Sequence, residues 1–194
     1  MKFQFTVNLN DTDYLEFNKF HMLRSPYGEK TLRNTRASIY LIFGIFILLA
    51  LFVGYLLESL PYTLIVVLAL IVACAFYQIR LPHSMGASLK KHIARLQKSG
   101  KAPYSPHAEL AFYEDHFTET TETAKSEVSY AALERISVVD RKYIYLHVNS
   151  LSAYLLPTAS FASEEQYNAF LAFAKTVCPC VEVYDKEPPQ EVLL

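Results

Sequence analysis

The sequence predicts a membrane α-hairpin of two transmembrane helices joined to an α+β cytoplasmic domain. Three observations carry that expectation. Two long apolar stretches follow one another across a three-residue gap, Lys and Arg gather on their outer flanks, and the rest alternates as short strands before one amphipathic helix. Charge is laid out unevenly. Between Arg36 and Arg80 the only charged residue is Glu58, although the chain carries 18 Lys and Arg against 19 Asp and Glu. A net charge of −1 leaves no broad basic surface, which argues against nucleic acid as a partner. The cysteines, Cys74, Cys178 and Cys180, are odd in number and one lies in an apolar run, so no secreted disulfide framework is expected. The opening Met1-Lys2-Phe3-Gln4 soon turns polar and shows no signal-peptide pattern.

Residues 1–36 read as an N-terminal cytoplasmic strand and amphipathic helix. KFQFTVN alternates apolar and polar side chains, the period of a half-buried strand. Asp13 suits a helix N-cap with Glu16 three residues on, and Asp11 beside it fits capping better than metal binding. A helix is expected over 14–23, with Tyr14, Phe17, Phe20 and Leu23 on related faces. Ser25-Pro26-Tyr27-Gly28 is expected to break it.

Residues 37–79 form the hairpin. The first span, ASIYLIFGIFILLALFVGYLL, covers 37–57, and the second, PYTLIVVLALIVACAFYQI, covers 61–79. Each is close to the roughly 20 residues that cross about 30 Å of hydrocarbon. Fourteen residues of the first are Leu, Ile, Phe or Val, enough to favour insertion by several kcal/mol. A soluble helix pair would keep a polar stripe, and neither span has one. Only Glu58, Ser59 and Leu60 separate them, which forces an antiparallel turn. Arg24, Lys30, Arg33 and Arg36 precede the first span, and Arg80, Lys90, Lys91, Arg95, Lys98 and Lys101 follow the second. With no Lys or Arg in the turn, the positive-inside rule predicts a two-span cell-membrane protein with both termini cytoplasmic. Arg24, Lys30, Arg33, Arg36, Lys90, Lys91, Arg95 and Lys98 are the candidate membrane-surface residues. Tyr55, Tyr62 and Tyr77 lie near span ends, where aromatic rings settle, and no buried charge marks an ion path. Ala50 with Gly54 and Ala69 with Ala73 have the spacing of close helix packing, within the hairpin or between two copies. The same spacing also arises by chance in apolar runs.

Residues 80–104 read as a basic amphipathic helix and linker. Met85, Leu89, Ile93 and Leu96 recur at helical spacing opposite Lys90, Lys91, Arg95 and Lys98. Such a helix lies on anionic headgroups, or packs its apolar face on the soluble domain. SGKAP at 99–103 ends it.

Residues 105–194 make the cytoplasmic domain. AELAFYED, HFTETTET, SEVSYAAL, RISVVD, KYIYLHV and SAYLLP show strand-like alternation or β-branched and aromatic enrichment. Ser163-Glu164-Glu165-Gln166 then opens a helix whose apolar face is Tyr167, Phe170, Leu171, Ala174 and Val177. Antiparallel strands closed by one C-terminal helix outline a pleckstrin-homology-like β-barrel or roll. The terminal VEVY is expected as an edge strand, beside the N-terminal one.

DYLEFNKFHMLRSPYGEKTLRNTR before the first span, then Y-x-x-L-E-R-I, KYIYLHV and AYLLP before the final helix, resemble the YcxB-like family of bacterial membrane proteins. The resemblance implies a small cytoplasmic domain at the C-terminal end and brings no activity with it. Members of that family often carry a basic residue after the proline of the AYLLP-like segment, where this chain has Thr158.

No phosphate-binding glycine loop, metalloprotease helix or nucleophile elbow is present. Cys178-Pro179-Cys180 lacks the second ligand pair of a structural zinc site, although His107, His116 and His147 are available. Arg141-Lys142 is expected in a hairpin turn. No catalytic, cofactor-binding or metal residues are therefore assigned, and no cofactor. The expected function is a non-enzymatic interaction or regulatory module. Its partners are the lipid bilayer and a protein partner, or a second copy, at the membrane. The alternatives are a metal- or thiol-dependent membrane enzyme or regulator using Cys178 and Cys180, and an accessory subunit of a transporter or toxin-immunity system.

Overall fold

The computed structural model describes residues 1–98, 104–150 and 152–185. They fall into two compact units. One joins Met1–Asn18 to His92–Pro188, and the other holds Lys19–Lys91.

The first unit opens with β1 (Phe3–Asn8), whose Phe5 and Val7 are buried while Gln4 and Thr6 are exposed. α1 (Asp11–Leu23) follows. Its cap differs from the expected one. Asn10 accepts from Asp13 N–H at 3.1 Å, and Asp13 Oδ2 accepts from Asn10 N–H at 3.0 Å. The reciprocal box therefore sits three residues earlier than Asp13 and Glu16, because Asn10 caps as well as Asp does and its partner at N3 is a carboxylate.

After the hairpin come β2 (His107–Phe112), β3 (His116–Thr121) and β4 (Lys125–Ser129). β5 (Arg135–Val139), β6 (Tyr143–His147) and β7 (Ala153–Pro157) follow, then α4 (Glu164–Val177) and β8 (Val181–Tyr184). The strands form two four-stranded sheets, in the orders β1-β2-β3-β4 and β7-β6-β5-β8. All neighbours are antiparallel except β5 and β8, which run parallel. The expected closed barrel is thus corrected: among the described residues no ladder joins the two sheets. The chain leaves β4 through a single 3-10 turn, Tyr130–Ala132, capped by Ser129, instead of carrying its pairing into β5. VEVY is also corrected. It does not lie beside β1 but pairs with β5, Val183 opposite Val138, because α4 carries the chain back to re-enter parallel to β5.

The core lies between the sheets and α4. Phe5, Leu110, Phe112 and Phe117 from the first sheet meet Ile136, Ile144, Leu146 and Leu156 from the second, with Phe170 and Ala174 of α4 over them. Phe170 is the hub, packing edge-on to Phe3, Phe5 and Phe112 at centroid distances of 5.4, 5.3 and 4.9 Å. Each fully buried Phe contributes about 1.5–3 kcal/mol of transfer free energy. Ser163 caps α4 by accepting from Gln166 N–H at 3.3 Å, as its sequence predicts.

α2 (Pro26–Leu56) and α3 (Leu60–Lys98) are both unbroken, and α2 with α3 as far as Lys91 makes up most of the second unit. The break expected over 25–28 shrinks to Arg24 and Ser25, since Pro26 occupies the first helical position, where its missing N–H costs nothing. Gly28 is required there, because a Cβ would meet His21 O at 2.5 Å. The helix expected after the second span is the continuation of α3, which runs through Pro82. Its Leu89 and Ile93 are buried. The linker at 99–103 lies outside the described residues.

Candidate membrane-facing surface

α2 and α3 are long and apolar enough to cross a membrane, with mean hydropathies of 2.7 and 2.4 over their best windows. Both are largely exposed along those stretches, whereas the core helix of a water-soluble fold is mostly buried. Their shared face uses one of the two small-residue pairs. Ala50 and Gly54 are buried, and a Cβ on Gly54 would collide with the Thr63 side chain. Thr63 has spent its own donor on Ser59 O at 2.9 Å, so it packs here as a compact, satisfied group. At the other end of the hairpin Gln78 Nε2 donates to Arg36 O at 3.2 Å, and Phe43 lies 6.0 Å from Tyr77. Ala69 and Ala73 do not join this contact. They line a groove of about 550 Å³ on α3 with Ile65, Leu68, Val72, Phe76 and Tyr77. Helical spacing alone does not distinguish the two pairs; only the partner helix does.

The turn is made by Glu58 at φ 49, with Ser59 N–H donating to Gly54 O at 3.3 Å. Of the basic candidates, Lys30, Arg33, Arg36, Lys90, Lys91 and Arg95 are exposed and Arg24 is half-buried; the Lys98 side chain lies outside the described residues. Arg33 and Arg36 line a second groove, of about 490 Å³, with Glu29, Leu32, Ala37 and Tyr40 on one face of α2. Arg80 folds back over the Phe76 ring at 4.8 Å, a cation–π contact at the edge of the second span.

In the domain unit, α1 covers the outer face of the second sheet. Tyr143 Oη donates to Asp13 Oδ1 at 2.9 Å, and Phe17 packs edge-on to Tyr145 at 5.1 Å. Tyr104 stacks on Tyr14 and donates to Asp11 Oδ1 at 2.7 Å. Burial raises the Tyr143 and Tyr145 hydroxyls well above the ordinary tyrosine range, and burial with the Asp11 carboxylate pushes Tyr104 up to about 12. Arg135, buried at the start of β5, ion-pairs with Glu134 at 3.4 Å and Glu182 at 4.0 Å. Sequence reasoning missed α1 as a lid on this sheet, because the bond that seats it joins Asp13 and Tyr143 across 130 residues.

The thiol and histidine candidates are not brought together. Cys178 is buried and donates to Cys180 O at 3.5 Å, while Cys180 Sγ lies 3.8 Å from Glu182 Oε1. Burial and that carboxylate raise the Cys180 thiol, which works against thiolate chemistry. His107 meets Asn8 at 2.7 Å on the first sheet, His116 meets Asp115 at 2.7 Å, and His147 is buried in β6 of the second. Among the described residues no group of three His, Cys, Asp or Glu could hold a metal ion. Arg141 sits in the β5–β6 turn as expected. With Asp140 it takes a φ of 52, and its guanidinium meets Glu164 at 3.3 Å beside a groove of about 380 Å³ that Thr158 also lines.

A two-sheet α+β unit whose chain is interrupted by two apolar helices of membrane-crossing length is the class of protein this fold defines. Residues 112–174, from the end of β2 into α4, match the family model described as YcxB-like protein, which bears out the resemblance read from KYIYLHV and AYLLP. The stretch before the first span lies outside that match. No curated protein and no solved structure matches the chain.

Proposed function

We propose that this protein is a membrane-anchored, non-enzymatic interaction module that presents its domain at the inner leaflet of a bacterial cell membrane. One observation carries the reading. β1 at residues 3–8 and β2 at residues 107–112 are hydrogen-bonded neighbours, so the chain before the hairpin and the chain after it share one sheet. Two strands of one sheet cannot lie on opposite sides of a bilayer. An even number of crossings is therefore required, which two spans satisfy, and the Lys and Arg on the outer flanks favour the cytoplasm as the shared side. Two sheets with a C-terminal helix packed on their shared core also support a pleckstrin-homology-like reading of the domain. Such a domain works by binding a lipid or protein partner at the surface, through an exposed strand edge or a loop end.

Reporter fusions test the topology. An enzyme active only outside the cytoplasm should be silent at either terminus and active when inserted at Ser59. Activity at a terminus, or full recovery of the protein in detergent-free supernatant, contradicts the reading. Affinity capture from cross-linked membranes then tests the module role: loss of a reproducible partner on deleting the domain supports it, and turnover of a substrate by the purified chain overturns it.

A further inference from the structure

We propose that the groove on α2 is a headgroup site for an anionic phosphodiester lipid of the phosphatidylglycerol type. The inference rests on the membrane reading above. Glu29, Arg33, Arg36 and Tyr40 stand at i, i+4, i+7 and i+11, one face of one continuous helix, with Leu32 and Ala37 as apolar walls. At about 1.5 Å per residue, Arg33 lies about 6 Å and Glu29 about 12 Å on the flank side of Ala37, the first residue of the span, and Tyr40 about 4.5 Å inside it. The headgroup layer is about 5–8 Å thick on each side of the hydrocarbon, so both guanidiniums lie at the level of lipid phosphates. The backbone carbonyl of Arg36 accepts from Gln78 of α3, and its side chain is exposed. Among the described residues no carboxylate stands in ion-pair range of either arginine.

Charge complementarity selects the ligand. Two guanidiniums and the Glu29 carboxylate sum to one positive charge, which a single phosphodiester neutralises. A guanidinium pair suits phosphate oxygens geometrically. Glu29, one turn beyond Arg33, places a negative charge on the outer side of the phosphate. The same carboxylate disfavours a phosphomonoester dianion, and a choline headgroup offers it no donor.

The test uses the full chain in detergent, delipidated and titrated with single lipids under native mass spectrometry. Phosphatidylglycerol should bind more tightly than phosphatidylcholine, phosphatidylethanolamine or phosphatidic acid. Arg33→Gln and Arg36→Gln should each weaken it about fivefold, the change that roughly 1 kcal/mol per basic residue near an anionic surface represents. Arg33→Lys and Arg36→Lys keep the charge but lose the planar fork, and each should still weaken binding, whereas purely diffuse attraction would leave it unchanged. Glu29→Gln should narrow the preference over phosphatidic acid. Undiminished binding by Arg33→Lys and Arg36→Lys overturns the groove while leaving the membrane reading intact. So does displacement of the lipid by inorganic phosphate or glycerol phosphate, which would make the ligand a soluble anion. A chain that stays monomeric without detergent overturns both.

Discussion

Tyr143 and Asp13 are separated by 130 residues of sequence yet meet at 2.9 Å, which makes this hydrogen bond a sensitive report on whether α1 is seated on its sheet. Replacing Tyr143 with Phe should cost about 1 kcal/mol or more in domain stability, since the buried Asp13 loses a partner. A urea midpoint measured beside the wild type checks it. The same contacts set an alkaline limit. Tyr104 rises from an ordinary value near 10 to about 12 in the fold, and Tyr143 and Tyr145 rise with it. A raised folded value means the fold favours the protonated form. The stability these groups contribute is complete below about pH 10 and is lost as pH climbs through 12 and beyond. The domain's urea midpoint should therefore be insensitive to these tyrosines from pH 7 to 9 and fall above 10. A midpoint that fell as steeply in a Tyr104→Phe/Tyr143→Phe double variant would remove tyrosine ionisation as the cause. At this scale the sequence was partly readable. Ser163 reads as a cap and is one, whereas Asn10 and Asp13 fit the same local pattern and only the observed bonds choose between them.

The helices were legible because composition alone determines where a segment can dissolve. Leu, Ile, Phe and Val without an intervening charge mark the two spans, and no partner is needed to see them. Which face of each helix meets the other was not legible. Gly54 packs against Thr63 too closely to admit a Cβ, so Gly54→Leu should force the helices apart, whereas Ala69→Leu fills an open groove. The first should lower the thermal midpoint of the detergent-solubilised protein and speed proteolysis near the turn; the second should leave both nearly unchanged. Equal effects would mean that neither pair closes the hairpin. The strands were easier to find than to pair. VEVY has the alternation of an edge strand, but its choice of β5 over β1 depends on the length and course of α4, which alternation does not encode.

At the scale of the whole molecule, the domain is split and the hairpin lies inside it. β1 supplies Phe5 and Val7 to a core otherwise built from residues beyond the second span. Removing residues 2–9 should therefore uncover Leu110, Phe112 and Phe170 and leave the distant C-terminal half sensitive to protease, although none of its own residues has changed. Pulse proteolysis of membranes carrying the truncated chain checks this, and undiminished protection would show β1 to be dispensable. Neither end of the sequence announces the arrangement. KFQFTVN reads as a strand in search of a neighbour, and its neighbour is about a hundred residues away on the far side of two spans.

The β1–β2 ladder also has a consequence in time. β1 leaves the ribosome early and must then remain unpaired until both apolar helices and β2, about a hundred residues later, have been synthesised. During that interval Phe3, Phe5 and Val7 form an unprotected strand in the company of nascent apolar helices. Successful biogenesis thus depends on a waiting step. Its length is set by the rate of translation between β1 and β2, so slowing it should raise the share of newly made chains captured by chaperones before the first sheet closes.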